Sequence, residues 1–320
     1  MRIPALCLLA LHALTVHIDA SAQTPSGPEW WPSEWGPEDQ RGAANRITAA
    51  KVLEAAGLIK QGKVYELGRD YESGMPLFGN RHYKLTIPGL PTYQPSGEHR
   101  VLYIDEMISG EIGQVGTQFD GLGHVGTEVD GEYVFYNGFK LSEFGTTYGL
   151  TKLGVENVGA LFTRGVLIDV ARYKGVERLE PTYIITIEDI ERTLEMEGVE
   201  IREGDAVFFH TGWGQLWMED NDLYMASEPG PGITAIKWLI NKKIVMTAAD
   251  NWGMEAIPGE DSERIGEGHQ WLMNRSGIYN LENLDLSTLA ADQIHEFAFI
   301  FAPVKLKGAT GSPGNPIAVR

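Results

Sequence analysis

Cysteine is nearly absent from this chain of 320 residues: Cys7 is the one example, and it lies in an N-terminal segment patterned like an export signal. The remainder can therefore build neither a disulfide framework, nor a cysteine-ligated zinc site, nor a thiol nucleophile. Basic residues are scarce too, 26 Lys and Arg against 44 Asp and Glu, for a net charge of −18 and a pI near 4.8. That balance excludes nucleic acid as a partner. No apolar run is long enough to span a bilayer, and no Gly-x-Ser-x-Gly elbow offers a serine nucleophile. Chemistry must come from histidines, carboxylates and amides.

What is present begins with Arg2, a largely apolar run from Ile3 to Val16, and Ala20-Ser21-Ala22 before Gln23. These are the three regions of a secretory signal, so residues 1–22 read as a signal peptide and residues 23–320 as an exported domain, periplasmic or secreted. Arg2 and Asp19 cancel, and cleavage leaves the acidic balance unchanged. Roughly 300 residues can bury one large core. Without repeats, low-complexity tracts or a clear linker, one domain is expected.

The first half reads as mainly β. Thr48 is placed to cap a helix over residues 44–56 that stops at Gly57, and Lys63–Gly68 reads as a strand. Residues 100–108 and 114–120 read as two further strands with Ser109-Gly110 as the turn between them. In the second half, Gly165–Val170, Gly204–Phe209 and Ile244–Ala249 are short apolar runs suited to buried strands, and Ile187–Gly198 and Ile233–Asn241 carry helical spacing. Alternating strands and helices predict a layered α/β arrangement. A short helix is expected over Glu267–Arg275, an extended segment around Glu282, and a strand over Phe297–Pro303. The tail from Lys307 to Pro316 reads as loop.

Gln114-Val-Gly-Thr-Gln-Phe-Asp-Gly-Leu-Gly-His124 crowds ligand-type side chains among glycines. In an extended segment Gln114, Gln118 and Asp120 share one face, and Gly121 and Gly123 allow a turn that returns His124 towards Asp120. Asp120 and His124 offer a hard oxygen and an imidazole, a pairing that suits zinc, manganese or iron. His269 and Glu282 are the best candidates to complete such a site, whose chemistry would be hydrolysis by an activated water. Taken singly, each residue also has an ordinary structural reading, as turn cap, buried hydrogen-bonding group or solvated acid. His210 stands at a strand end where α/β proteins bind ligands, and Trp213, Trp217 and Trp252 are candidate walls of an aromatic pocket.

These residues resemble the signature of the cyclase family of metal-dependent hydrolases, which includes bacterial kynurenine formamidases and isatin hydrolase. The family pattern His-x-Gly-Thr-His-x-Asp-x-Pro-x-His aligns on residues 114–124 without gaps; Gly116, Thr117, Asp120 and His124 match, while Gln114, Gln118 and Leu122 depart. Ser33–Asn45, Gly204-Asp-Ala-Val207, Thr211-Gly-Trp213, Leu281-Glu-Asn-Leu284 and Gly308–Pro313 extend the resemblance over nearly the whole mature chain.

The resemblance implies a swivelling β/β/α-type α/β domain, a mixed sheet core with flanking helices, assembled as a homodimer or homotetramer. It also implies one divalent ion, manganese or zinc, held by Asp120, His124, His269 and Glu282. Gln118 then either joins the shell of a harder ion or, with Gln114, orients water or substrate; Gln114, His210, Trp213 and Trp252 are the expected substrate contacts. The expected activity is cleavage of an amide or a cyclic amide or ester in a small molecule, with His124 as ligand or proton carrier. A non-hydrolytic cyclase or dehydratase, or a ligand-binding protein without turnover, is the alternative.

Overall fold

Capping residues decide where the helices begin and end. The Thr48 hydroxyl accepts from the Lys51 N–H and opens α1, Ala49–Ala56, with Gly57 as its stop. A reciprocal box between Thr186 and Asp189 opens α2, Ile187–Glu197, and left-handed Gly198 closes it. α3 spans Ile233–Asn241. These elements belong to a computed structural model that describes residues 23–24 and 27–320; the expected signal peptide, residues 1–22, lies outside the described residues.

Nine strands share one mixed sheet: β1 Val64–Glu66, β2 Gln118–Asp120, β3 Leu161–Asp169, β4 Ala206–His210, β5 Met246–Ala249, β6 Tyr279–Glu282, β7 Glu296–Phe301, β8 Gly311–Pro313 and β9 Ile317–Val319. Their order is β8-β2-β6-β5-β4-β3-β7-β9-β1. β3 to β6 run parallel at the centre, and the flanking pairs are antiparallel. Both faces of the parallel strands are covered, which is why they read as continuous apolar runs. Leu167, Phe208, Ala248 and Tyr279 join one core. Val166, Ile168, Val207 and Phe209 point the other way, to pack with Ile190, Ile236 and Leu239 of α2 and α3. At the far end of the sheet Asp205 is buried between Lys51 (2.5 Å) and Arg164 (2.6 Å), a paired charge that ties α1 to the sheet. The expected α/β class, a mixed sheet with flanking helices, is the one that forms.

Three local expectations change. Residues 83–110 form a two-stranded ribbon: Tyr83–Thr86 pairs with Met107–Gly110, and Tyr93–Ser96 with Val101–Tyr103. Ser109 and Gly110 therefore lie in a strand, not in a turn leading to residue 114. Within 114–120 only Gln118–Asp120 is extended; Gly116 has φ +60°, and the Tyr71 ring fills the space a Cβ would need. The turn-rich tail contributes β8, because Gly311 lets the chain lie against the backbone of Gly113 and Phe119.

Candidate metal centre

β2 and β6 are neighbours with Gln118 opposite Glu282 and Asp120 opposite Asn280. Side chains two apart on a strand share a face, so this register brings Gln118, Asp120 and Glu282 together. Gln118 Nε2 donates to Glu282 Oε2 (2.7 Å). Gln114 reaches the same place by the curvature of its loop, and its Nε2 donates to Asp120 Oδ1 (3.1 Å). The loop is held from behind, where Asn283 Nδ2 donates to the Gly116 carbonyl (2.7 Å) and the Thr117 hydroxyl donates to the Asn283 carbonyl (2.8 Å).

His269 enters from the short helix α4, Glu267–His269, which continues as a π-turn over Gln270–Asn274. Its Nδ1 hydrogen bonds to Glu255 Oε1 (2.6 Å), and Glu255 also accepts from the Gly268 and His269 backbone N–H groups. A carboxylate on Nδ1 leaves Nε2 as the lone-pair atom of the neutral ring. Nε2 lies 3.2 Å from Glu282 Oε1 and 3.9 Å from Asp120 Oδ2. Asp120 Oδ2 is buried and has no hydrogen-bond partner.

Three acceptor atoms therefore converge, one each from Asp120, His269 and Glu282, all within 4.8 Å of one another. Such a donor set fits a divalent cation. Burial, reinforced by the Asp120 charge, pushes the Glu282 carboxyl up to about 7, against the opposing pull of His269 and Gln118. Burial alone would lower the His269 imidazole, but hydrogen bonds to Glu255 and Glu282 hold it well above its ordinary value.

His124 turns back as expected, its N–H bonded to the Gly121 carbonyl (2.9 Å). The Thr310 carbonyl and Val155 crowd Gly121, and Leu150 and the Leu153 carbonyl crowd Gly123, so closely that a Cβ at either would collide. His124 Nε2 stands 4.0 Å from Asp120 Oδ1, the oxygen already bonded to Gln114, and a quarter of its side chain is exposed. It sits beside the three-atom group and outside it.

A cavity of about 480 Å³ opens over these groups. Its walls are largely apolar, from Leu77, Phe78, Met225, Trp252, Ile257 and Pro258, with the Phe78 and Trp252 rings stacked at 5.2 Å. Gln114, Gln118, His124 and Trp252 line it. His210 and Trp213, expected to touch substrate, are placed elsewhere. His210 Nδ1 donates to Asp169 Oδ1 (2.7 Å), and neither residue lines this cavity. Trp213 is fully buried, its indole N–H bonded to the Tyr224 carbonyl (3.2 Å), in the cluster that packs behind Leu77, Met225 and Trp252.

The Cyclase family model, described as "Putative cyclase", matches residues 65–256, more than half of the chain and inclusive of the 114–124 segment. The chain belongs to the Cyclase family. It is 30% identical over 152 residues to isatin hydrolase of Roseibium aggregatum, a match that covers 44% of this chain and about half, 54%, of that protein. A solved structure of a novel cyclase shares 32% identity and superposes with a TM-score of 0.78, covering 89% of this chain and 98% of that one. Isatin hydrolase A from Ralstonia solanacearum shares the fold at 20% identity, TM-score 0.60, over 85% and 98% of the two chains. Within this Cyclase-family site, Glu255 and Phe78 carry no signal of their own in the sequence. Glu255 lies fourteen residues before its histidine and Phe78 far from Trp252, so no local spacing marks either pair.

Proposed function

We propose that this protein is a metal-dependent hydrolase cleaving a C–N or C–O bond of a small amide or cyclic amide or ester. The observation that carries the reading is the convergence of one ligand-type atom each from Asp120, Glu282 and His269 within 4.8 Å, with Asp120 Oδ2 buried and unpartnered among them. These atoms would hold one manganese or zinc ion. When bound, such an ion supplies Lewis acidity that polarises a carbonyl and acidifies a water. Glu255 keeps the His269 lone pair aimed at the site. His124, partly exposed and beside the group, carries a proton on Nε2 to the leaving atom. The stacked Phe78 and Trp252 and the apolar walls orient a flat, apolar substrate and exclude water. Relatives named isatin hydrolase support a ring-opening substrate class.

Metal analysis with three variants tests this. Asp120→Ala and His269→Ala are expected to lose the ion and more than about a hundredfold in turnover of a lactam or formamide panel. His124→Gln is expected to keep the ion yet lose about a hundredfold or more. A stoichiometric ion retained by both alanine variants would sink the assignment.

Residues Arg2 to Ala22 support export of the protein. The surface supports assembly as a homo-oligomer. Among the described residues, more than half of the exposed large apolar side chains fall within residues 78–112, chiefly on the ribbon. Solvent-exposed apolar side chains concentrated in one segment are the kind of surface that a protein partner covers. The ribbon carries little of the net charge, so a second copy meets less repulsion there than elsewhere on an acidic molecule.

A further inference from the structure

We infer that Gln114 and Gln118 take the place of a second cation: their amide hydrogens hold the carboxylate oxygens that would otherwise bridge to it, which restricts the site to one ion. The inference rests on the reading that Asp120, Glu282 and His269 bind a cation.

Asp120 and Glu282 bring four buried oxygens to one small volume. Two of them are capped, Glu282 Oε2 by Gln118 Nε2 at 2.7 Å and Asp120 Oδ1 by Gln114 Nε2 at 3.1 Å. The other two, Glu282 Oε1 and Asp120 Oδ2, face His269 Nε2. In both caps the amide presents its N–H₂ and the carboxyl oxygen accepts. Gln118 Nε2 also lies 3.5 Å from Gln114 Oε1, so the two amides form a ladder with their positive edges towards the carboxylates.

An amide nitrogen has no lone pair to offer a metal, and its hydrogens repel one. The side of Asp120 that faces Gln114 is therefore closed to a cation, while the side that faces His269 is open. Gln118 acts here through Glu282, orienting its carboxylate so that Oε1 is the oxygen left free, and is a positioning residue. This differs from the expectation that Gln118 joins the metal shell.

The test is a titration of the metal-stripped full chain with Mn²⁺, read by equilibrium dialysis and by electron paramagnetic resonance. Wild-type protein is expected to bind one ion per chain in excess Mn²⁺ and to give the hyperfine sextet of an isolated ion. Two ions per chain with an exchange-coupled multiline signal would overturn the inference, and no bound ion would overturn the metal reading beneath it. Gln114→His/Gln118→His replaces the two donors by imidazoles and is expected to take up a second, coupled ion. A folded double variant that still binds one ion would show that the amides are not what closes the second place. Should the variant fail to fold, the wild-type stoichiometry decides by itself.

Discussion

Asp169 and His210 meet at the carboxyl ends of β3 and β4, both largely buried. Burial alone would raise the Asp169 carboxyl, yet the His210 hydrogen bond and charge bring it below the usual range. Burial alone would lower the His210 imidazole, but the Asp169 hydrogen bond and the charges of Asp250 and Asp169 hold it above its ordinary value. The carboxylate's contribution is present above its unfolded value near about 4 and is lost as pH falls through the lower folded value. The imidazole's is full below about 6.5 and is lost as pH rises through the higher folded value. Asp169→Asn should therefore cost about 2 kcal/mol between those limits and progressively less at alkaline pH, checked by urea unfolding across a pH series. A deficit independent of pH would show that the pair is not ionised. At this scale the sequence was most legible for Asp120, His269 and Glu282, whose chemistry is intrinsic. It was least legible for Glu255, which matters only through the ring it touches.

Elements were legible wherever a cap or a periodicity acts locally, as at Thr48, Thr186 and Gly198. They were misread where a distant side chain decides the backbone. Gly116 bends the chain because Tyr71 lies over it, and the Tyr71 hydroxyl bonds to the Thr117 carbonyl. Gly116→Ala would place a Cβ against that ring at a positive φ, and should cost about 1–3 kcal/mol while loosening Gln114 from Asp120. Thermal unfolding checks the first effect; the second would appear as altered metal affinity. An unchanged melting temperature would mean that the loop relaxes freely. The tail shows the same dependence on remote neighbours: its glycines and prolines signal loop, yet Gly311–Pro313 find an edge on β2 and become β8.

For the whole molecule, the ribbon of residues 83–110 is the feature that a single chain explains least. Isolated two-stranded ribbons are marginal in water, and the strands at 101–103 and 107–110 are exposed along their length. Light scattering is expected to give a multiple of the chain mass, and Leu102→Asp/Ile108→Asp to give a folded monomer. A monomeric wild type at micromolar concentration would refute the assembly. By itself the sequence determined the residue types on which the chemistry depends, the acidic and almost cysteine-free composition, and most helices and buried strands, because these follow from side-chain chemistry and local periodicity. Tertiary structure alone decided which oxygens of Asp120 and Glu282 are free. That choice depends on the β2–β6 register, on a bend forced by Tyr71 and on a helix that presents His269 across the cavity, contacts between segments that no local pattern relates.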